Sequence, residues 1–519
     1  MKKFLLLLFL ALSAVANAQF TFITNNGAIT ITGYTGSGGS VIIPSTTNGY
    51  PVTSIKTNAF FNCATITSLT IPGSIADIPY QAFTQCTGLT NVMIGDGTLS
   101  IEDRAFYDCE SLTIVIIPAS VTNISSGAFY YCLHLSTITL DPANQSYCIV
   151  DGVLFDAART TLVLHPQALG KNYIIPAGVK HIADYALASC YAMTNIVIPE
   201  GVETIGTLAF DNLYQLKSIT LPNSLTSIGN KAFEYIQLMT NLWLGNGLNS
   251  IGYGAFEQCV NLGSVSIPGS VTNMGDNVFW QCWGLTNAVI AEGVARIGNG
   301  LFYGCRSLAK VVIPSTVTDV GSNAFWGCTS LTNVTLGNAV TNIGIYAFYD
   351  CSLTNVTLGK TVMNIGDSAF SGCSLLQTIT LPASVMTIGT RAFYSCSALT
   401  SVFFAGNAPA ISSSPFLADH ATLYYLPDTS GWSSPFASRP AVLWNPLIQI
   451  DGGTFGVQGN RFAFNIAGTA NIPIVVEACT NLGSPWVPLQ SVSLTNGSFD
   501  FSDPQWTNYP ARFYRLRSP

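Results

Sequence analysis

The chain has 519 residues, of which 48% are hydrophobic and only 9% are charged, and its formal net charge is −7. This length exceeds what one compact core usually contains, so the sequence predicts either several domains or one long array of repeats. Beyond the N-terminus no apolar run reaches the roughly 18 residues of a membrane span, and the acidic balance excludes the basic surface that nucleic acid or anionic lipid requires.

The first 18 residues have the pattern of a secretory signal peptide. Lys2 and Lys3 form a basic start, and the apolar run at 4–12 is too short to span a bilayer. The small-x-small sequence at 16–18 predicts cleavage before Gln19. We therefore expect an exported protein that is secreted or held at the cell surface.

Residues 19–50 are rich in Thr, Gly and Ile and are predicted to form an N-terminal β cap. From residue 51 to 400 a Phe recurs every 23 residues, apart from one step of 22 and one interruption, in which Leu187 takes the place of one Phe. These positions predict fourteen coils. The repeated residues are Phe60, Phe83, Phe106, Phe129, Phe210, Phe233, Phe256, Phe279, Phe302, Phe325, Phe348, Phe370 and Phe393.

Each coil has an internal pattern, which we number from its Phe as position 0. In the coil of Phe256, Cys259 lies at +3, Leu262 at +6, and Val265 and Ile267 lie at +9 and +11. The alternation at +9 and +11 predicts a strand with one buried face, and the Ala-Phe-x-x-Cys stretch is expected to form a short helical or 3₁₀ turn on the opposite side. Because one coil cannot bury its apolar residues alone, the pattern predicts a β-rich solenoid of stacked coils.

Twelve of the fourteen cysteines occupy position +3 of their coils. Two other coils place Leu213 and Ile236 there, so this position is predicted to be an apolar packing site filled by free thiols. Disulfides between adjacent coils are the alternative, because neighbouring Cα atoms would lie within bonding range. A metal ladder is not favoured, since the chain has only four histidines and no converging ligand sets.

The remaining segments depart from the 23-residue period. Residues 141–171 are predicted to form a hairpin insert of two strands that lets the solenoid continue, with a ligand-contacting loop as the alternative. Residues 401–445 keep short strands and suit a C-terminal cap. Residues 446–519 alternate apolar and polar residues and predict a small antiparallel β-sandwich-like domain that acts as an extracellular spacer or surface-retention module.

The full pattern A-F-x-x-C-x-x-L-x-x-I-x-I-P-x-S-V-x-x-I-G resembles the BspA-type leucine-rich repeats of bacterial surface proteins, over about residues 40–400. It is best seen at Ala105-Phe106, Cys109, Leu112, Val115 and Ile117-Pro118. The resemblance implies a leucine-rich-repeat solenoid with an adhesive or recognition role outside the cell, in some relatives toward host matrix proteins, and it supplies no catalytic residues or cofactor. The tail is similar to a β-rich module of other bacterial secreted proteins.

Positions +8 and +10 of each coil should point outward from the strand, from Ser68 and Thr70 to Ser401 and Phe403. Only one of these 28 residues, Lys310, is charged. A neutral face of hydroxyls and amides can hydrogen-bond a glycan or protein, although such residues can equally serve only to solvate a sheet. The apolar exceptions are candidate ligand-binding residues. They are Met93, Ile114, Ile116 and Trp243.

Aromatic residues at and near position +1 form a second candidate surface. Rings at an exposed edge often contact protein or sugar, and the alternative is that they cover the turn and pack between coils. The candidates on this stripe are Trp280, Trp283, Tyr303, Trp326 and Tyr349.

The sequence does not favour catalysis. The four histidines are scattered, and neither metal-binding nor nucleophile motifs occur. We therefore expect a non-catalytic recognition or adhesion protein that binds an extracellular protein or glycan through the solenoid. A structural component of a surface layer or biofilm is the alternative. A polysaccharide-active enzyme is a further alternative and would require acidic residues clustered on one face.

Overall fold

The structure is a computed structural model that describes residues 19–451 and 454–518. The predicted signal peptide, residues 1–18, lies outside the described residues. The described chain is almost entirely β-structure and forms a solenoid of about 17 turns, and the only helix in the described ranges is a 3₁₀ turn at Trp506–Asn508. The chain divides into two compact units, residues 19–294 with 298–308 and residues 295–297 with 309–518.

Each coil contributes a longer strand and a two-residue strand, and both kinds stack in parallel. Residues pair with those one period away, as Ser68 does with Asn91 and Leu69 with Val92. In the strand Asn91–Ile94, Val92 and Ile94 are buried, whereas Asn91 and Met93 are exposed. This alternation confirms the predicted β-rich solenoid with one buried strand face.

In the first unit the longer strands are Ile66–Ile71, Asn91–Ile94, Ile114–Ile117, Thr137–Leu140, Asn172–Ile174, Asn195–Val197, Ser218–Thr220, Asn241–Trp243, Ser264–Ile267 and Asn287–Ile290. The short strands are Asp77–Ile78, Ser100–Ile101, Asn123–Ile124, His181–Ile182, Thr204–Ile205, Ser227–Ile228, Ser250–Ile251 and Asn273–Met274. The N-terminal strands are Phe20–Asn25, Ala28–Tyr34, Gly39–Ile42, Thr46–Thr47 and Tyr50–Ile55. Of these, Gly39–Ile42 pairs in parallel with Ile66–Ile71 and so joins the ladder formed by the longer strands.

The segment that interrupts the period contains three strands, where the sequence predicted two. Tyr147–Val150 and Val153–Asp156 form an antiparallel hairpin, and Thr161–Leu164 follows. The hairpin closes at Asp151-Gly152, where both residues have positive φ, 48° and 81°. Two such residues favour a tight two-residue turn, which divides the first predicted strand. Thr161–Leu164 then pairs in parallel with His181–Ile182, so it takes the place of one strand in the ladder of two-residue strands.

In the second unit the longer strands are Lys310–Val312, Asn333–Thr335, Asn355–Thr357, Thr378–Leu381, Ser401–Phe404, Thr422–Tyr425 and Ala441–Leu443. The short strands are Arg296–Ile297, Asp319–Val320, Asn342–Ile343, Asn364–Ile365, Thr387–Ile388 and Ala410–Ile411. The last three longer strands pair in parallel, so the ladder continues beyond residue 400.

The C-terminal strands form two antiparallel sheets. Arg461–Ala467 pairs with Leu447–Gln449, Gly456–Gln458 and Ser498–Asp503, and Pro473–Cys479 lies between Val487–Ser493 and Phe513–Arg517. Their shared core also contains Phe403 and Tyr424 from the last coils. Position +10 therefore does not point into solvent at Phe403, because the C-terminal sheets cover it.

The repeated phenylalanines form the centre of the core. Phe233 and Phe256 are fully buried, and their rings stack in parallel with centroids 5.0 Å apart. The column extends past the predicted coils to Phe416, whose ring stacks on Phe393 at 5.3 Å. Around each Phe the chain forms consecutive turns in place of the expected helical turn, because residues such as Tyr235 at +2 adopt positive φ. A left-handed residue ends a helical run.

Glycine follows the short strand because adjacent coils approach closely there. A Cβ atom on Gly252 would lie 2.6 Å from the backbone of Gly229 and Asn230 in the preceding coil. This close approach explains the Ile-Gly pair of the repeat.

The cysteine position is an apolar packing site that also satisfies a backbone carbonyl. The Cys282 thiol donates to the Phe256 carbonyl oxygen of the preceding coil at 3.2 Å, and eight other coils repeat this contact. Other donors replace the thiol where the period changes. The Gln167 amide donates to the Phe129 carbonyl, and the Arg439 guanidinium donates to that of Phe416. The column thus supplies a donor in most turns, but not in those where Leu213 or Ile236 replaces the cysteine.

Thiol reactivity tests the arrangement of the cysteines. All fourteen cysteines lie in the described residues and none forms a disulfide there, and only Cys63 and Cys148 are partly exposed. Burial and the neighbouring Cys86 raise the pKa of the Cys63 thiol to about 11, so even this thiol is mostly protonated at neutral pH. We expect at most two thiols to react with a disulfide reagent in the native protein and fourteen after denaturation without reductant. Fewer than ten in the denatured protein would indicate disulfides between coils.

Candidate functional site

The outward face of the longer strands, here called the strand face, carries positions +8 and +10. In the first unit these positions carry no charge, and they are exposed, as at Asn91 and Ser264, except for the half-buried Ser68 and Thr70. The ladder behind it satisfies the backbone groups of the strands, so only side chains are presented to a ligand.

Several apolar side chains interrupt this polar face, and four of them are defined here as the apolar patch: Ile42, Met93, Ile114 and Ile116. Met93 pairs with Ile116 across the ladder, and Thr70 pairs with both Met93 and Ile42. Strand neighbours lie about 4.8 Å apart, so Met93, Ile114 and Ile116 are contiguous, whereas Thr70 separates Ile42 from Met93. The exposed fractions are 66% for Ile42, 49% for Met93 and 39% for Ile114 and for Ile116. Solvent-exposed apolar side chains at this density are typical of an interaction surface.

Trp243 lies on the same face but apart from the patch. It pairs with Thr220 and is 54% exposed. The structure therefore brings together Met93, Ile114 and Ile116 and leaves Trp243 with polar neighbours.

The aromatic stripe is partly buried. In the first unit the Trp280 and Tyr303 rings stack with centroids 5.8 Å apart, and both residues are half-buried. Trp283 is exposed, and the Arg306 guanidinium lies 5.6 Å from its ring centroid. Ring stacking thus accounts for part of the stripe, and Trp283 presents the larger free area.

The second unit repeats the same arrangement. The Trp326 and Tyr349 rings stack with centroids 5.7 Å apart and an interplanar angle of 3°. Tyr346 adds an edge-on contact to Tyr349 at 5.5 Å. These rings pack between coils, and their outer edges form a shallow aromatic surface.

Sequence reasoning missed two features of the first unit. Ile42 and Ile174 are the most exposed apolar residues of the longer strands, but they lie outside the Phe-numbered coils. The second feature is a polar cluster around Asp211. The Tyr130 hydroxyl donates to Asp211 Oδ2 at 2.6 Å, although the two residues are 81 positions apart. No 23-residue period relates them, because the insert lies between them in the sequence.

Asp211 is almost completely buried. Its Oδ2 also accepts from Asn212 Nδ2 at 2.7 Å, and the same amide nitrogen donates to the Tyr131 hydroxyl at 3.1 Å. Within the described residues Asp211 Oδ1 has no hydrogen-bond partner. Burial raises the pKa of the Asp211 carboxyl to about 7, although the bonds from Tyr130 and Asn212 favour its charged form. This carboxyl therefore titrates near neutral pH.

Cys190 and His165 form a close Cys–His pair, which is also buried. His165 Nδ1 lies 3.6 Å from Cys190 Sγ. Burial lowers the pKa of His165 to about 4 and raises that of the Cys190 thiol, so both groups are neutral at pH 7. A neutral, inaccessible thiol is not a nucleophile. Within residues 19–451 and 454–518, no three His, Cys, Asp or Glu side chains are placed to hold a metal ion.

The repeated coil, the stacked parallel strands and the exposed strand face define a leucine-rich-repeat solenoid. A family model described as a BspA-type leucine-rich repeat region matches residues 40–150, 170–286 and 295–421 in six copies. The chain therefore belongs to the BspA-type leucine-rich-repeat family, as the resemblance implied.

Solved structures with the same kind of repeat include three bacterial proteins. A leucine-rich repeat protein from Bacteroides ovatus is 27% identical, with 74% of this chain and 93% of that chain covered and a TM-score of 0.47. A leucine-rich cell surface protein from Faecalibacterium prausnitzii is 25% identical, with 75% and 94% covered and a TM-score of 0.40. A leucine-rich repeat protein from Eubacterium ventriosum is 22% identical, with 74% of this chain and 94% of that chain covered and a TM-score of 0.37. No curated protein sequence matches the chain.

Proposed function

We propose that this protein is a secreted or surface-attached, non-catalytic recognition protein that binds an extracellular protein or glycan through the strand face of its solenoid. The observation that supports this most is the apolar patch, which exposes Met93, Ile114 and Ile116 side by side on a regular ladder. A rigid, backbone-satisfied surface loses little conformational freedom on binding.

The chemistry of the patch favours a protein partner over a glycan in the first unit. Aliphatic side chains such as Ile114 and Met93 bury well against apolar side chains, whereas sugars more often stack on aromatic rings. The surrounding hydroxyls and amides can hydrogen-bond the rim of a partner. Trp243, Trp283 and the Trp280–Tyr303 stack form separate aromatic candidates for a glycan.

Export supports the same proposal. The signal-peptide pattern at residues 1–18 predicts passage through a membrane, and the Faecalibacterium relative is described as a cell surface protein. Within the described part of the chain no helix is both long enough and apolar enough to cross a membrane. The C-terminal sheets are proposed as the spacer or retention module.

A charge within the patch tests the proposed function. We expect Ile116→Asp to weaken binding to the partner found on arrays of extracellular proteins and glycans by at least tenfold, because the apolar contact would bury an unpaired carboxylate. Asn273→Asp, at an exposed position of a short strand in the same unit and outside the strand face, is the matched control and should leave binding unchanged. Equal affinity of wild type and Ile116→Asp, with unchanged circular dichroism, would exclude the patch as the binding site.

The structural alternative predicts a different result. A surface-layer component would self-associate when purified and would bind no array target. Concentration-dependent sedimentation together with blank arrays would therefore favour that function over recognition.

A further inference from the structure

One coil of the second unit is shorter than the others. A single residue separates Cys351 from Leu353, where other coils have two, so the step from Phe348 to Phe370 is 22 residues. The strand Asn355–Thr357 still pairs in register with the preceding strand. It belongs to a different sheet from the following strand, Thr378–Leu381. The missing residue thus coincides with an interruption of the ladder.

A cleft of about 390 Å³ opens on the strand face at this interruption. Its walls carry the amide of Asn355 and the hydroxyls of Thr357, Thr378 and Thr380. This volume falls within the usual range for small-molecule sites.

The floor of the cleft is apolar and its rim is cationic. Val356 and Ile379, which belong to the core, line the floor where the two strands separate. Lys360 lies at the rim and is exposed, and within the described residues it forms no ion pair. The neighbouring coils place Asn338 and Ala383 at the same position, and no other coil has a Lys or Arg there, so the positive charge is specific to this coil. The Lys360 backbone N–H donates to the Asn338 side chain, which fixes the rim.

We propose that this cleft binds a sugar residue that bears a carboxylate. The hydroxyl edges of a pyranose ring match the threonine hydroxyls and the asparagine amide of the walls. The Lys360 ammonium pairs with the carboxylate of the sugar. Since the chain as a whole is acidic, this local cation is needed to hold an anionic ligand. The inference rests on the proposed recognition function and adds a ligand class at a separate place in the second unit.

Calorimetric titration of the purified protein with trigalacturonic acid and with uncharged galactotriose tests the cleft. We expect the acidic trisaccharide to bind more tightly, with an affinity that falls as salt is added. Lys360→Met should weaken its binding about fivefold, the size of one exposed ion pair, and should leave galactotriose unaffected. Lys310→Met, on the strand face of the same unit, is the matched control and should change neither affinity.

A second variant tests the geometry. Thr357→Trp places a large side chain on the wall of the cleft, so it should abolish binding of both sugars without lowering the midpoint of urea denaturation, because Thr357 is exposed. The proposal would be overturned if trigalacturonic acid did not bind, or if the Lys360→Met variant bound it as tightly as wild type does. It would also be overturned if an acetylated acidic tripeptide bound as tightly as trigalacturonic acid. Ile116→Asp should leave sugar binding intact, so failure here and failure of the proposed protein-binding function are distinguishable.

Discussion

Replacing Phe256 by alanine is expected to lower the free energy of unfolding by about 3–5 kcal/mol. Phe256 is fully buried, and its ring stacks on Phe233 at 5.0 Å and on Phe279 at 5.4 Å. Truncation removes the buried ring surface and leaves a cavity that two neighbouring coils cannot fill, because their own rings are fixed by the column. Urea denaturation followed by tryptophan fluorescence measures the loss.

Phe61→Ala provides the matched control, since Phe61 follows a column residue but is 52% exposed. It should cost less than about 1 kcal/mol. A loss of that small size for Phe256→Ala would mean that the phenylalanine column is not the main source of stability, and the packing described for the coils would be wrong.

Asp211→Asn is expected to remove a large pH dependence from the coils beside the insert. The pKa of Asp211 is raised by burial from an ordinary 3.8 to about 7, so the folded chain holds this proton more tightly than the unfolded chain. The resulting stabilisation is complete below about pH 4 and is lost as the pH rises to about 7. A shift of this size corresponds to about 4 kcal/mol. Asparagine does not titrate, and its side-chain oxygen can still accept the hydrogen bond from the Tyr130 hydroxyl.

Hydrogen exchange of peptides around Asp211 measures this effect locally. As the pH is raised from 4 to 8, the free energy of local opening, corrected for the intrinsic exchange rate, should fall in wild type relative to that in Asp211→Asn. Asp96→Asn changes an exposed residue in a turn of another coil and is the control. Its opening free energy should depend on pH as that of wild type does. Parallel pH profiles for Asp211→Asn and wild type would contradict the assigned ionisation.

The repeating part of the fold is predictable because it depends on local spacing. Ala-Phe-x-x-Cys and the alternation that follows it recur at nearly constant separation, so one coil such as that of Phe256 predicts its neighbours. The substitution of Leu213 and Ile236 for cysteine predicts an apolar position. It does not predict the thiol donation to the Phe carbonyl, since leucine and isoleucine have no donor.

Contacts between residues that are not separated by one repeat length could not be predicted in this way. Tyr130 and Asp211 meet only because a hairpin replaces one coil, and Phe403 is buried only because the C-terminal sheets cover it. The cleft beside Lys360 lies where the ladder is interrupted between two strands, and the 23-residue spacing of Asn355 and Thr378 does not predict that interruption. On the candidate surface, Met93 and Ile116 follow from alternation, whereas Ile42 lies on a strand that precedes the first coil.

Hydroxyl-radical footprinting of the protein with and without its extracellular partner tests the central claim most directly. Met93 and Trp243 are exposed on the strand face, and methionine and tryptophan side chains oxidise readily, so their labelling reports whether that face is covered. Protection of Met93, with unchanged labelling of the exposed Met386 in the second unit, is the predicted result. Full labelling of Met93 in a saturated complex would contradict recognition through the apolar patch.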